Sequence, residues 1–293
     1  MDQTYDRKAI RKKIKRHAKD VLHRDLWGNV GLIAPWMIVI YIIFIYSYAT
    51  TSVTTGQNET STGQALFEAL FSLIFAIITA YTIYVAEYQS LKQMRDETTT
   101  AKPVESWFKT YLTKKWQKTI WLSIWMTFLF LIGWALLISF GHLGVGLSSI
   151  TMTLYALSNI SIPTFLVVSF IISFIVFAVF VIIYLMKQYK YIFIPFVGLD
   201  DPSTKGFKLV AKSRELMKGH RWELFVMHLS FFWWFLLIGV TLGLASFYVM
   251  PYIYLTLAGY YDTINDIQKK KEAKVTEQPA PIKAVVLQPN STY

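Results

Sequence analysis

Apolar positions gather into five long blocks separated by polar, mostly basic stretches: Val30–Tyr48, Leu66–Ala86, Ile120–Phe140, Ile162–Met186 and Leu224–Tyr261. Each of the first four is close to the ~20 residues of helix that cross ~30 Å of hydrocarbon. The fifth is about twice that length and holds Gly239, Thr241 and Gly243, so it predicts a helical hairpin with its tight turn there. The pattern predicts an all-α polytopic membrane bundle. Its six transmembrane helices fall at about residues 30–50, 66–86, 120–140, 162–186, 224–241 and 244–262, in one domain over 30–265.

Charge supports that count. With six spans, four segments lie on one side of the membrane: residues 1–29, 87–119, 187–223 and 262–293. They contain all 29 Lys and Arg residues of the chain, and the three segments on the other side contain none. Lys and Arg concentrate on the cytoplasmic side because translocating them is disfavoured. The predicted topology is therefore N-in and C-in, and the predicted location is a cell membrane.

Composition agrees: 54% of residues are hydrophobic and 16% charged. The net charge of +11 sits in blocks between apolar runs. That distribution points to an anionic phospholipid surface as partner and away from nucleic acid. With no cysteine, disulfides, thiol catalysis and thiolate metal sites are excluded.

The inside segments carry their own structure. Residues 1–29 predict a cytoplasmic basic amphipathic helix. Ile10, Ile14, Ala18, Val21 and Leu22 share one face and Arg7, Lys8, Arg11, Lys12 and Lys15 lie around the other, a pattern suited to a membrane surface. A second interfacial helix is expected at "VESWFKTYLTKKW". In "DDPSTKGFKLVAKSRELMKG", Asp201 before Pro202 and the later Gly219 predict a helix over about 202–218. Its less polar face holds Phe207, Val210, Ser213, Leu216 and Met217. "YIFIPFVG" is too short to span, so it either dips into the membrane or packs under the bundle. Residues 266–293, with three prolines and no apolar periodicity, predict a disordered cytoplasmic tail.

"SRELMKGHRWELF", Ser213 to Phe225, ends an inside loop and leads into the fifth block. Two readings fit it. Its bases fix topology, with Trp222 at the interface, or Arg214, Lys218, His220 and Arg221 cradle an anionic lipid headgroup or phosphate.

This stretch also carries a resemblance. Ser213, Arg214, Met217 and Gly219, then Gly243, then Pro251, Tyr252, Thr256, Ala258 and Tyr261, with Ala18, Leu22 and Trp27 near the start, resemble a family of Gram-positive bacterial integral membrane proteins. That family is designated domain of unknown function nine-seven-five. The resemblance covers roughly residues 8–265. Members often carry a polar residue and Phe where this chain has Gly259-Tyr260. It implies a multi-pass protein of the bacterial plasma membrane and assigns no activity.

Chemistry inside the spans is sparse. Glu68 and Glu87 bracket the second block, Asp262 ends the fifth, and His228 lies within it. A lone His228 reads as a neutral imidazole bonded to a neighbour, or as one member of a proton relay that lacks partnered acids. No histidine pair has metal-ligand spacing, and nucleophile, P-loop and dinucleotide motifs are absent from the sequence. No metal, cofactor or catalytic residue is expected. Pro251, in mid-block, with Gly243 before it, reads as a hinge or a static kink.

Two functional classes remain. The first is a non-enzymatic envelope accessory, scaffold or immunity-type factor engaging anionic lipid, a partner protein or another copy of the chain. The second is a transporter or channel for a lipid, peptide or small solute, hinged at Pro251.

Overall fold

The computed structural model describes residues 6–53, 62–106, 145–158, 160–201, 203–204 and 206–277, with isolated positions between 132 and 139. Every regular element among them is helical. In order these are α1 (Arg7–Arg24), α2 (Leu26–Val53), α3 (Thr62–Met94), α4 (Leu147–Leu157), α5 (Thr164–Gln188), α6 (Ile194–Asp200), α7 (Gly206–Leu216), α8 (Arg221–Leu229), α9 (Phe232–Val240) and α10 (Ser246–Glu277). Among the described residues, two helical stretches are long and apolar enough to cross a membrane: Thr164–Gln188, and Arg221–Val240, which is α8 with α9. There is a third if α1 and Leu26–Ile42, bent by 90° between them, count as one. The expected third span and second interfacial helix lie mostly outside the described residues.

α10 is the axis of the molecule. Its residues Leu255 to Tyr261 are all buried; α10 packs against α1, α2, α3 and α7, and Phe196 of α6 stacks on Tyr261. The apolar stripe of α1, Ile14, Ala18, Val21 and Leu22, is buried in the same cluster as Leu255, Tyr260 and Tyr261 of α10. The stripe is as the periodicity predicts, but protein covers it instead of lipid. Gly259 permits the approach: a Cβ there would stand 2.5 Å from Met94 Cε and 3.1 Å from Ile14 Cγ2.

Asp6 starts α1, its Oδ1 accepting from the Lys8 and Ala9 amides at 3.0 and 3.1 Å. Asp25 makes the elbow into α2. Its Oδ1 accepts the Gly28 amide at 3.1 Å and its Oδ2 the Ala101 amide at 2.6 Å, so one carboxylate caps α2 and ties down the segment after α3.

α2 and α3 form an antiparallel pair, with Ile33 packed on Ala86 and Leu32 on Val85. Farther along both helices apolar side chains face outward, among them Ile42, Ile45, Leu66 and Leu70. α5 has no buried residue at all, as a helix surrounded by lipid requires. α4, packed beside α5, occupies a stretch the apolar pattern left as an outside loop.

The fifth block is a hairpin turning where its glycines predict. The turn runs from Thr241 to Ala245, with Leu242 at φ 50° and Gly243 at φ 92°. Its first arm is interrupted at Ser230-Phe231. The Ser230 hydroxyl donates to the Met227 carbonyl at 2.5 Å, an alternative to the helical ladder. Pro251 is buried in the second turn of a continuous α10, nearer its start than the apolar pattern placed it. α10 runs on to Glu277, so the first part of the stretch expected as a tail is helical; its remainder, 278–293, lies outside the described residues.

α7 begins at Gly206 and ends at Leu216, shorter at both ends than 202–218. Asp201 binds the Ser203 and Thr204 hydroxyls instead of capping a helix. Its buried stripe is Leu209, Ser213 and Leu216, and Phe207 is 94% exposed. "YIFIPFVG" packs under the bundle: Phe193, Ile194, Phe196 and Val197 are all buried against Tyr260 and Tyr261.

Candidate functional site at the base of the bundle

The four residues of the predicted cradle lie from the last turn of α7 to the first residue of α8. Arg214 on α7 and Lys218 just past it are exposed. His220 precedes α8, and its Nδ1 lies 3.3 Å from Oε2 of the fully buried Glu223. The His220 carbonyl accepts from the Tyr260 hydroxyl at 3.3 Å. Arg221 is half-buried, with its Nε buried and without a hydrogen-bond partner. Around these residues Ser213 donates to the Lys190 carbonyl at 2.9 Å, Met217 is buried, and Gly219 takes φ 85°. The stretch is a structural joint with two outward bases, Arg214 and Lys218.

A charged knot that the sequence does not advertise lies close by. The Arg95 guanidinium, just past the end of α3, reaches Asp200 through Nη1 at 2.7 Å and Nη2 at 3.1 Å. It reaches Asp262 through Nε at 3.0 and 3.1 Å and Nη2 at 2.5 Å. The Tyr261 hydroxyl and the Asn265 amide also donate to Asp200, at 2.7 and 3.3 Å. Burial works against the Asp200 charge, but the Arg95 and Tyr261 hydrogen bonds outweigh it and hold this carboxyl below the usual carboxylate range. One planar fork thus ties the ends of α3 and α6 to the middle of α10. An open hollow of about 510 Å³ lies against the knot, also lined by Asp201, Lys212, Asp266 and Lys269.

α1 meets the hairpin through Lys15. Its ammonium donates to the Ser230 hydroxyl and sits 4.0 Å from the Phe231 ring centroid, at the break between α8 and α9. Burial, with Arg11 adding to it, pushes the Lys15 amine down to about 8. His23 and Arg24 extend the seam, to the Tyr248 hydroxyl at 3.1 Å and to Asp96 at 2.8 Å. Arg7 in the first turn of α1, and Lys8, Lys12, Lys13, Arg16 and Lys19 on its far side, stay exposed.

His228 Nδ1 lies 3.0 Å from the Leu224 carbonyl, and its ring stacks on Tyr189 with centroids 5.2 Å apart. Glu87 of α3 is buried, with one carboxylate oxygen unpartnered. Gly243 is part of the hairpin turn, where Tyr41 of α2 donates its hydroxyl to the Leu242 carbonyl at 3.1 Å. Among the described residues, no group of three or more His, Asp and Glu side chains is placed to hold a metal ion.

The model of one protein family, described as protein of unknown function (DUF975), matches residues 8–268. No curated protein and no solved structure matches the chain.

Proposed function

The chain belongs to the DUF975 family, and on that premise we propose that it is a multi-pass protein of the bacterial plasma membrane with both termini cytoplasmic. In this reading it is a non-enzymatic envelope accessory or scaffold that presents a fixed basic face to anionic lipid headgroups. All its apolar blocks enter the membrane, and the polar ends of α1, α3, α7 and α10 form the cytoplasmic base.

The observation that carries the reading is the mounting of α1. A basic helix that lies free on a membrane holds on by burying its apolar face in lipid. Here that face is buried against α10. The helix is held by protein, and what it offers outward is charge: Arg7, Lys8, Lys12, Lys13, Arg16 and Lys19. Each such base close to an anionic leaflet contributes about 1 kcal/mol, an effect that fades beyond a Debye length of about 8–10 Å. Arg214 and Lys218 extend the same chemistry.

The alternative, a transporter or channel hinged at Pro251, asks for movement of α10. The burial of Pro251 and the Arg95 clamp at Asp262, midway along that helix, support the accessory reading instead.

Energy transfer from the protein's tryptophans to acceptor-labelled lipids in liposomes tests the proposal. The expected result is stronger transfer to phosphatidylglycerol than to phosphatidylcholine, a difference that shrinks with added salt. Equal transfer to both lipids at low salt would contradict it.

A further inference from the structure

The hairpin of α8, α9 and α10 is shorter than the helices beside it. Three contacts set its level. The Ser246 hydroxyl meets Met37 Sδ at 3.2 Å and the Leu242 carbonyl meets Tyr41, so α2 and α10 run side by side up to the turn. Beyond Tyr41, α2 continues to Val53, about 18 Å more of helix at about 1.5 Å per residue. On α3, Met94 lies level with Gly259. From there α3 climbs about 48 Å to Thr62, and α10 about 26 Å to the turn, a shortfall of about 22 Å. On α5, Tyr189 stacks on His228. From that pair α5 climbs about 38 Å to Thr164, and the hairpin arm about 21 Å to Leu242, a shortfall of about 17 Å. A common tilt of about 20° would shorten these projections only slightly.

Three neighbours therefore agree that the turn stops roughly 17–22 Å below their far ends, more than the ~15 Å that is half of a ~30 Å hydrocarbon layer. The chemistry of the turn matches that depth. Val240 is 77%, Leu242 84% and Leu244 63% exposed, three apolar side chains a water-facing turn would waste. From Leu224 to Tyr261 the chain has no Asp, Glu, Lys or Arg. The turn also satisfies its own backbone, as hydrocarbon demands. The Gly243 amide donates to the Ile238 carbonyl at 2.8 Å, the Ala245 amide to the Thr241 hydroxyl at 3.0 Å, and Tyr41 supplies the donor for the Leu242 carbonyl.

We propose that the α8–α9–α10 hairpin is re-entrant. It enters from the cytoplasmic side, turns at Thr241–Ala245 inside the hydrocarbon, and offers its apolar tip to lipid acyl chains near the middle of the bilayer. In the six-span pattern of the sequence, this dip replaces the last two crossings. Both flanks of the hairpin stay on the cytoplasmic side, so the distribution of Lys and Arg is preserved. This inference rests on the membrane reading above.

The natural chain has no cysteine, so single-cysteine variants report cleanly. Thr62→Cys, Leu242→Cys and Gln268→Cys are each treated with a membrane-impermeant maleimide, in intact cells and in inverted vesicles. The expected result is labelling of position 62 from outside only, of 268 from inside only, and of 242 from neither side until the protein is denatured. Reaction at 242 from either aqueous face of the folded protein would overturn the re-entrant hairpin. Failure of the membrane reading looks different: positions 62 and 268 would react from the same side. Val240→Cys serves as the second tip variant if Leu242→Cys does not fold.

Discussion

The Tyr41 hydroxyl donates to the Leu242 carbonyl across 3.1 Å, joining two residues 201 positions apart in the chain. A hairpin turn leaves carbonyls that its own helices cannot satisfy, and in hydrocarbon no water replaces the missing donor. Gly243 beside it lets the phenol come close, since a Cβ there would lie 3.1 Å from the Tyr41 oxygen.

Tyr41→Phe removes that donor and leaves the rest of the ring. Stranding the carbonyl costs about 1–3 kcal/mol, so thermal unfolding in mild detergent is expected at a lower temperature than for the natural chain. An unchanged midpoint would mean that the turn finds another donor.

Arg95→Ala strands two carboxylates that share one guanidinium. Breaking a buried pair costs about 3–5 kcal/mol, and these side chains are 21–29% exposed, so about 2–3 kcal/mol is expected. Arg95→Lys recovers only part of it, because an ammonium cannot reproduce a fork to two carboxylates. Chemical unfolding of the two variants checks the order; equal stabilities would contradict the clamp.

Asp200 ties the clamp to pH. Its carboxyl is held below its unfolded value of about 3.9, so its contribution is present above that pH and is lost as pH falls through the lower folded value. Acid unfolding of Asp200→Asn is expected to lack that part of the stability loss. Identical acid profiles would remove Asp200 from the account.

Lys15 acts in the opposite pH range. Its folded value of about 8 lies below the ordinary lysine value of about 10.4. Between these values the unfolded chain binds more protons than the folded one, so stability rises with pH across that window. Lys15→Met is expected to lack this rise when unfolding midpoints at about pH 7.5 and about pH 9.5 are compared. An equal rise in both proteins would place its origin elsewhere.

Much of the fold was legible because burial in lipid or protein writes itself into the apolar pattern. The hairpin turn at Thr241 and Gly243 and the stripe of Ile14, Ala18, Val21 and Leu22 all appear where the sequence puts them. Periodicity shows that a face is covered but not by what, and so α1 was expected on lipid when it packs on α10. In α7 the stripe is set by Leu209, with Ser213 four and Leu216 seven positions later. Phe207, two positions before Leu209, points away from it at about 100° per residue. The Arg95 knot was hidden because its members stand 105 and 167 positions apart in the chain and Arg95 reads as one more inside base, expected for topology alone. The burial of Glu223 beside His220 was equally unreadable, since both stand in a stretch that reads as a charged inside loop.

The central claim is a basic face held rigid for anionic lipid. Native mass spectrometry of the protein released from mild detergent tests it most directly. Three forms are compared: the natural chain, a variant with Lys8, Lys12, Lys13 and Arg16 changed to Gln, and a variant with Arg214 and Lys218 changed to Gln. The account predicts retained phosphatidylglycerol on the natural chain, most of it lost in the α1 variant and a smaller part in the Arg214 and Lys218 variant. Retention unchanged by the α1 substitutions would contradict it.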